Sequence, residues 1–128
     1  MSRIHRVILN LMVGFVTLIA FCSTSFAKTD LLVYTAVEAD ELAMFKEEFE
    51  SDYPDVNIKW VRDSTGIVTA KLLAEKDNPQ ADIVWGLAAT SLVLLANEGY
   101  FQGYTPKGVE ALDPLYVDPL NDPPLWVG

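Results

Sequence analysis

Cysteine and histidine are nearly absent: the 128 residues hold one of each, Cys22 and His5. A single Cys excludes a disulfide framework and any multi-cysteine zinc site. With its only His at position 5, the chain has no imidazole for metal binding or triad chemistry in residues 28–128. Positive charge is scarce as well. Residues 28–128 carry seven basic and eighteen acidic side chains, a net of −11. So acidic a body is a poor partner for nucleic acid, because Lys and Arg contacts to phosphate dominate that affinity. A nucleophile–base pair, a glycine-rich phosphate motif and a metal-ligand cluster are also missing, so no catalysis and no cofactor is expected. The whole chain is 51% apolar and 21% charged. That is the composition of a folded domain, although 101 residues bury only a modest core.

Charge disappears altogether from Val7 to Ala27, a run of 21 residues. It follows the short positive segment Met1–Arg6 and ends with Ser25 and Ala27 at the −3 and −1 positions of a cut after Ala27. This three-part plan predicts a cleaved signal peptide over residues 1–27 and an exported, periplasmic body over 28–128. Two readings compete with it. An uncleaved anchor is long enough to span a bilayer, and a lipoprotein would be acylated at Cys22, where the bulky Phe21 disfavours processing. Once the leader is gone the body has no Cys, and packing alone must hold it.

Apolar periodicity divides the body into alternating elements. Leu31–Thr35 is a short buried strand without helical period. Leu42, Phe45 and Phe49 then recur at helical spacing from Glu38 onward, and Pro54 closes that helix near Tyr53. Val56–Val61 alternates as a second strand, Asp63–Gly66 is a turn rich in capping oxygens, and Ile67–Lys76 is helical up to Asn78-Pro79. Asp82–Trp85 is a third strand, and Ala88–Glu98 a third helix ended by Gly99. The order β-α-β-α-β-α predicts an α/β fold, a parallel sheet layered between helices. Tyr100-Phe101 reads as a short strand. Five of the seven prolines then fall between Pro106 and Pro124, predicting turns and extended chain. Leu125–Gly128 reads as the opening of a further strand; either the chain is a fragment or that strand is an edge for a partner, and a fragment is expected.

In an open parallel sheet, ligands bind beyond the carboxyl ends of the strands. Three such ends follow from the pattern: Thr35–Glu38, Asp63–Gly66 and Gly86–Ala89. The second is the sharpest. Ser64 and Thr65 offer hydroxyls, Gly66 allows close backbone approach, and the following helix presents unpaired N–H groups to an anion. The rival reading makes Ser64 an ordinary N-cap serving its own helix. Arg62 and Lys71 either add charge to such an anion or lie as plain solvated surface. Glu38 is placed to receive an ammonium group, or else simply matches the helix dipole. Tyr34 and Trp85 either wall a cleft or belong to the core. The acids Glu47, Glu48, Glu50 and Asp52 do not converge from one exposed helix, so calcium is not expected there.

The runs LLVYTAVEAD, IKWVRDSTGIVTAKLLAEKDNPQADIVWGLAA and LANEGYFQGYTPKG together resemble the N-terminal lobe of solute-binding proteins of ABC importers. They look most like the 2-aminoethylphosphonate-binding branch, related to periplasmic ferric-ion-binding proteins. The resemblance covers residues 30–128 and is most specific over Trp60–Ala89. It implies lobe one of a two-lobed type II periplasmic binding fold, a three-layer parallel-sheet lobe truncated near the first hinge crossover, which closes on ligand like a flytrap. It also implies that Thr35, Glu38, Ser64, Thr65, Gly66, Leu87 and Ala88 line the cleft. Ser64, Thr65 and the Gly66 amide would then hold a phosphonate or other oxyanion, and Glu38 the amine. The implied partners are a small aminophosphonate or oxyanion ligand and the permease subunits of the inner membrane. The alternatives are a ferric-ion receptor of the same superfamily and, from another class, an exported α/β enzyme fragment.

Overall fold

The structure is a computed structural model and describes residues 27–128; the leader and its cleavage site through Phe26 lie outside the described residues. Three strands, β1 (Thr29–Thr35), β2 (Val56–Arg62) and β3 (Ile83–Trp85), form one parallel sheet in the order β2-β1-β3. Helices α1 (Ala39–Asp52), α2 (Thr65–Ala74) and α3 (Ala89–Asn97) follow them in turn. The strand order reverses direction at β1. Right-handed crossovers then send α1 and α2 to opposite faces of the sheet.

Alternation within the strands supplies both faces. Tyr34 points to one side, where it joins Val68, Leu72, Leu87, Leu92 and Leu95 under α2 and α3. Leu32, Val61, Val84, Tyr100, Phe101 and Trp126 pack around that cluster. On the other side α1 lays Phe45 edge-on against Trp85, with ring centroids 4.9 Å apart, and Trp85 lies 5.9 Å from Trp60. The register is continuous from Thr29 opposite Val56 to Thr35 opposite Arg62, with Trp85 opposite Thr35 on the other edge. Asp82 fastens the entry to β3: its Oδ2 accepts from the Leu32 N–H at 2.8 Å, while its own N–H donates to the Leu32 carbonyl at 2.9 Å.

The short apolar run at Tyr100-Phe101 is not a strand. Gly99 takes φ +74 and its N–H donates to the Ala96 carbonyl at 2.9 Å, while the Tyr100 N–H reaches Leu95 at 3.0 Å. These bonds close α3 with a left-handed glycine, and the two aromatic rings go to the core. Near the end of the chain, Val127 forms a single antiparallel bridge with Val117 rather than opening a strand of its own.

Asp118 organises this last segment. It is 6% exposed and accepts hydrogen bonds from the N–H groups of Leu120 and Leu125 and from the Asn121 amide. Burial pushes its carboxyl up, but those donors outweigh burial and hold it below the usual carboxylate value. A depressed folded value means the group stabilises fully above the unfolded value of about 3.9 and loses that contribution as pH falls through the folded one. Acid is therefore expected to loosen the Asp118 turn, with the Leu120 and Leu125 amide NMR shifts moving together below pH ~4. Independent movement of the two would contradict this account.

Candidate functional site

The parallel register brings the ends of all three strands to one rim. Thr35 pairs with Arg62 on one side and Trp85 on the other, so the turns 36–38, 63–64 and 86–88 leave the sheet side by side. The middle turn leads to α1 on one face, while its two neighbours lead to α2 and α3 on the other. That reversal is the topological switch point beside which open α/β sheets place their ligands.

Three helices begin at this rim from Glu38, Ser64 and Ala88, each extended in backbone and none making a side-chain capping hydrogen bond. Their first-turn N–H groups keep the partial positive charge of a helix start. Ser64 is exposed and its hydroxyl is not spent on α2. Its own N–H donates instead to Asp63 Oδ1 at 2.7 Å, which turns the Asp63 side chain back on its own turn. Thr65 and Gly66, read from sequence as turn residues, are the first two residues of α2. Thr65 is half-buried and its carbonyl accepts from the Thr69 hydroxyl at 2.7 Å. Gly66 is exposed and has open space where a Cβ would stand.

The remaining candidates fall differently. Thr35 is fully buried, and its Oγ1 accepts from the Val37 N–H at 3.1 Å; it shapes the first turn instead of lining the cleft. The Leu87 side chain belongs to the core, which leaves its backbone and the exposed Ala88 at the third turn. Glu38 is not a waiting carboxylate. Its Oε2 accepts from Arg62 Nη2 at 2.6 Å, and Arg62 Nε donates to the Val37 carbonyl at 3.1 Å. The sequence had offered Arg62 no such partner, because the pair forms only when β2 lies beside β1.

Lys71 and Tyr34 lie away from the rim. Lys71 Nζ meets Glu75 and sits 5.3 Å from the centroid of the Tyr34 ring, while the Tyr34 hydroxyl donates to Glu75 at 2.9 Å. Hydrogen bonding to Glu75 raises the Lys71 value, and the same bond lowers that of Glu75. Trp85 lines an apolar groove of about 380 Å³ with Leu31, Val33, Phe45, Ile58 and Trp60. That groove runs along the sheet face beside α1, not at the rim. Among the described residues no three His, Cys, Asp or Glu side chains come together as a metal site, and no helix is long and apolar enough to cross a membrane.

This doubly wound parallel sheet with three helix starts along one rim matches one lobe of solved periplasmic binding proteins. AfuA from Actinobacillus pleuropneumoniae, solved with exogenous fructose-6-phosphate bound, superposes with a TM-score of 0.64 at 27% identity, over 70% of this chain and 28% of that one. The periplasmic binding protein P5PA gives 0.60 at 26% identity, over 72% and 27%. Iron-bound HitA from Pseudomonas aeruginosa gives 0.62 at 18% identity, over 70% and 29%, a likeness of fold alone. In sequence the chain is 43% identical over 61 residues to a probable ABC transporter periplasmic-binding protein, y4fP, of Sinorhizobium fredii. It is also 28% identical over 104 residues to an uncharacterized protein of Haemophilus influenzae. These alignments cover 48% and 81% of this chain but span only 17% and 26% of the two relatives' lengths. No family model matches the chain.

Proposed function

We infer that the chain forms one lobe of the substrate-binding component of an ABC importer. In this reading residues 1–27 are a leader cut after Ala27, and residues 28–128 work in the periplasm. The lobe takes a small ligand carrying a tetrahedral oxyanion and presents it to permease subunits in the inner membrane. No catalytic step is part of the reading. The observation that carries it is the Ser64 hydroxyl, exposed at the start of α2 and not used as a cap. Hydroxyl and N–H donors at a helix start suit a phosphoryl or phosphonyl group, and a few convergent donors decide affinity even in a protein of negative net charge. The sugar phosphate on AfuA and the 2-aminoethylphosphonate implied by the sequence resemblance share that group. The amine of the latter is not assigned to Glu38, because Arg62 occupies its carboxylate.

Calorimetric titration of the protein with 2-aminoethylphosphonate and with fructose-6-phosphate tests the reading. Replacing both Ser64 and Thr65 by Ala removes two hydroxyl donors to a charged group, and a loss of roughly a hundredfold or more is expected for the ligand that binds. Neither hydroxyl caps α2, so the circular dichroism spectrum is expected to stay unchanged. Undiminished affinity in the double variant overturns the reading. Colour developing with Fe³⁺ would favour the ferric-ion receptor instead, and consumption of the ligand an enzyme. Exported protein starting at Lys28 supports the leader.

A further inference from the structure

We propose that Arg62 is the cation that meets the ligand's oxyanion, and that Glu38 is the carboxylate that holds the guanidinium until the ligand displaces it. This rests on the oxyanion reading above and assigns residues to the charge within it. Across residues 35–38, 62–66 and 86–89, which supply the rim, Arg62 is the one basic side chain, and Glu38 and Asp63 are the acids. Lys46, Lys59, Lys71 and Lys76 are paired with Glu50, Asp30, Glu75 and Glu98 respectively. Arg62 ends β2 two residues before Ser64, and its guanidinium reaches across to the turn after β1.

Two contacts fix that reach, and they differ in kind. The bond from Nε to the Val37 carbonyl, at 3.1 Å, anchors the group to the backbone of the rim. The bond from Nη2 to Glu38 joins side chains that are 39% and 73% exposed. Ion pairs so open to water hold weakly. A guanidinium carries five N–H donors in a planar fork, and these two contacts leave three free. A phosphoryl or phosphonyl dianion brings more charge than a carboxylate and accepts two parallel N–H bonds from such a fork. Ligand entry therefore exchanges partners at Nη while the Nε anchor stays in place. Glu38 competes with the ligand and does not read it, so the lobe selects for the oxyanion whether or not an amine is attached.

A matched pair of probes tests this: 2-aminoethylphosphonate, which carries the amine, and ethylphosphonate, which lacks it. Both are expected to bind the wild-type protein with similar affinity. Arg62→Gln is expected to weaken both by roughly tenfold to a hundredfold, the loss of charge-assisted hydrogen bonds. Arg62→Lys, which keeps the charge without the fork, should recover part of that loss. Glu38→Gln removes the competitor and is expected to tighten both probes by about twofold to fivefold. If Glu38→Gln weakens 2-aminoethylphosphonate alone, Glu38 reads the amine and the proposal is overturned. Unchanged affinity in Arg62→Gln, beside a collapse in the Ser64 and Thr65 variant, overturns the role of Arg62 and leaves the oxyanion reading standing. Failure of the wild-type protein to bind either probe overturns both.

Discussion

Gly86→Ala is expected to destabilise the protein by about 2–5 kcal/mol and to disorder the rim along with it. Gly86 is held at φ +67, a left-handed conformation that costs a residue with a Cβ roughly 1–2 kcal/mol. Space compounds the strain. A Cβ at this position would collide with Cγ2 of Val37, with Thr35 Oγ1 only 3.5 Å away. Overpacking of this kind adds about 1–3 kcal/mol. Neither neighbour can yield freely. Thr35 is fully buried and its hydroxyl holds the Val37 N–H, while the Val37 carbonyl holds Arg62. The added methyl group therefore pushes the third turn against the first and disturbs the anchor of the rim cation. Urea unfolding of the variant measures the stability loss. Gly66→Ala is the control: its Cβ would meet nothing within 4 Å, so the fold is expected to tolerate it. A Gly86→Ala protein as stable as wild type would show that the first and third turns do not pack as described.

How much of this could be read from the residues depended on how far apart the interacting groups lie in the chain. Local periodicity was enough for the three strands and three helices, because a strand shows period two and an amphipathic helix period 3.6 within its own length. The start of α2 was harder to place. Thr65 and Gly66 are weak helix formers and read as turn, yet they are its first residues. Tyr100-Phe101 failed for another reason: a two-residue apolar run looks alike in a strand or in a chain folding back onto a core. The rim differs in kind from all of these. Ser64 could be singled out as a donor at a helix start, but whether its hydroxyl served that helix was a matter of geometry. The Glu38–Arg62 pair spans 24 residues and exists because Thr35 is in register with Arg62. No spacing within either segment carries that information. The burial of Thr35 was hidden in the same way, since a strand-end Thr becomes interior only when strands flank it on both sides.

Leu95→Ala and Leu72→Ala are each expected to cost about 2–5 kcal/mol, the usual range for emptying a fully enclosed leucine site. Both side chains are 0% exposed, one on α3 and the other on α2, where the two helices meet over β1. The core around them is small. Nine hydrophobic side chains among the described residues are buried, and the lone Cys22 provides no disulfide to constrain the unfolded chain. Domains of this size hold together by only about 5–15 kcal/mol in total, so either substitution removes a large share of the stability. At roughly 4–8 °C per kcal/mol, Tm should fall by at least ~8 °C in a thermal melt. Leu120, which is 83% exposed, is the counterpart: its replacement by Ala should change stability by less than ~0.5 kcal/mol. The two core variants should also separate in function. α2 carries Ser64, Thr65 and Gly66 at its start and is seated by Val68, Thr69 and Leu72. Loosening it through Leu72→Ala is expected to weaken oxyanion binding even at temperatures where the protein remains folded. Leu95→Ala acts one helix away and should spare binding until unfolding sets in. Equal binding by both folded variants would mean that α2 does not orient the donors of the rim.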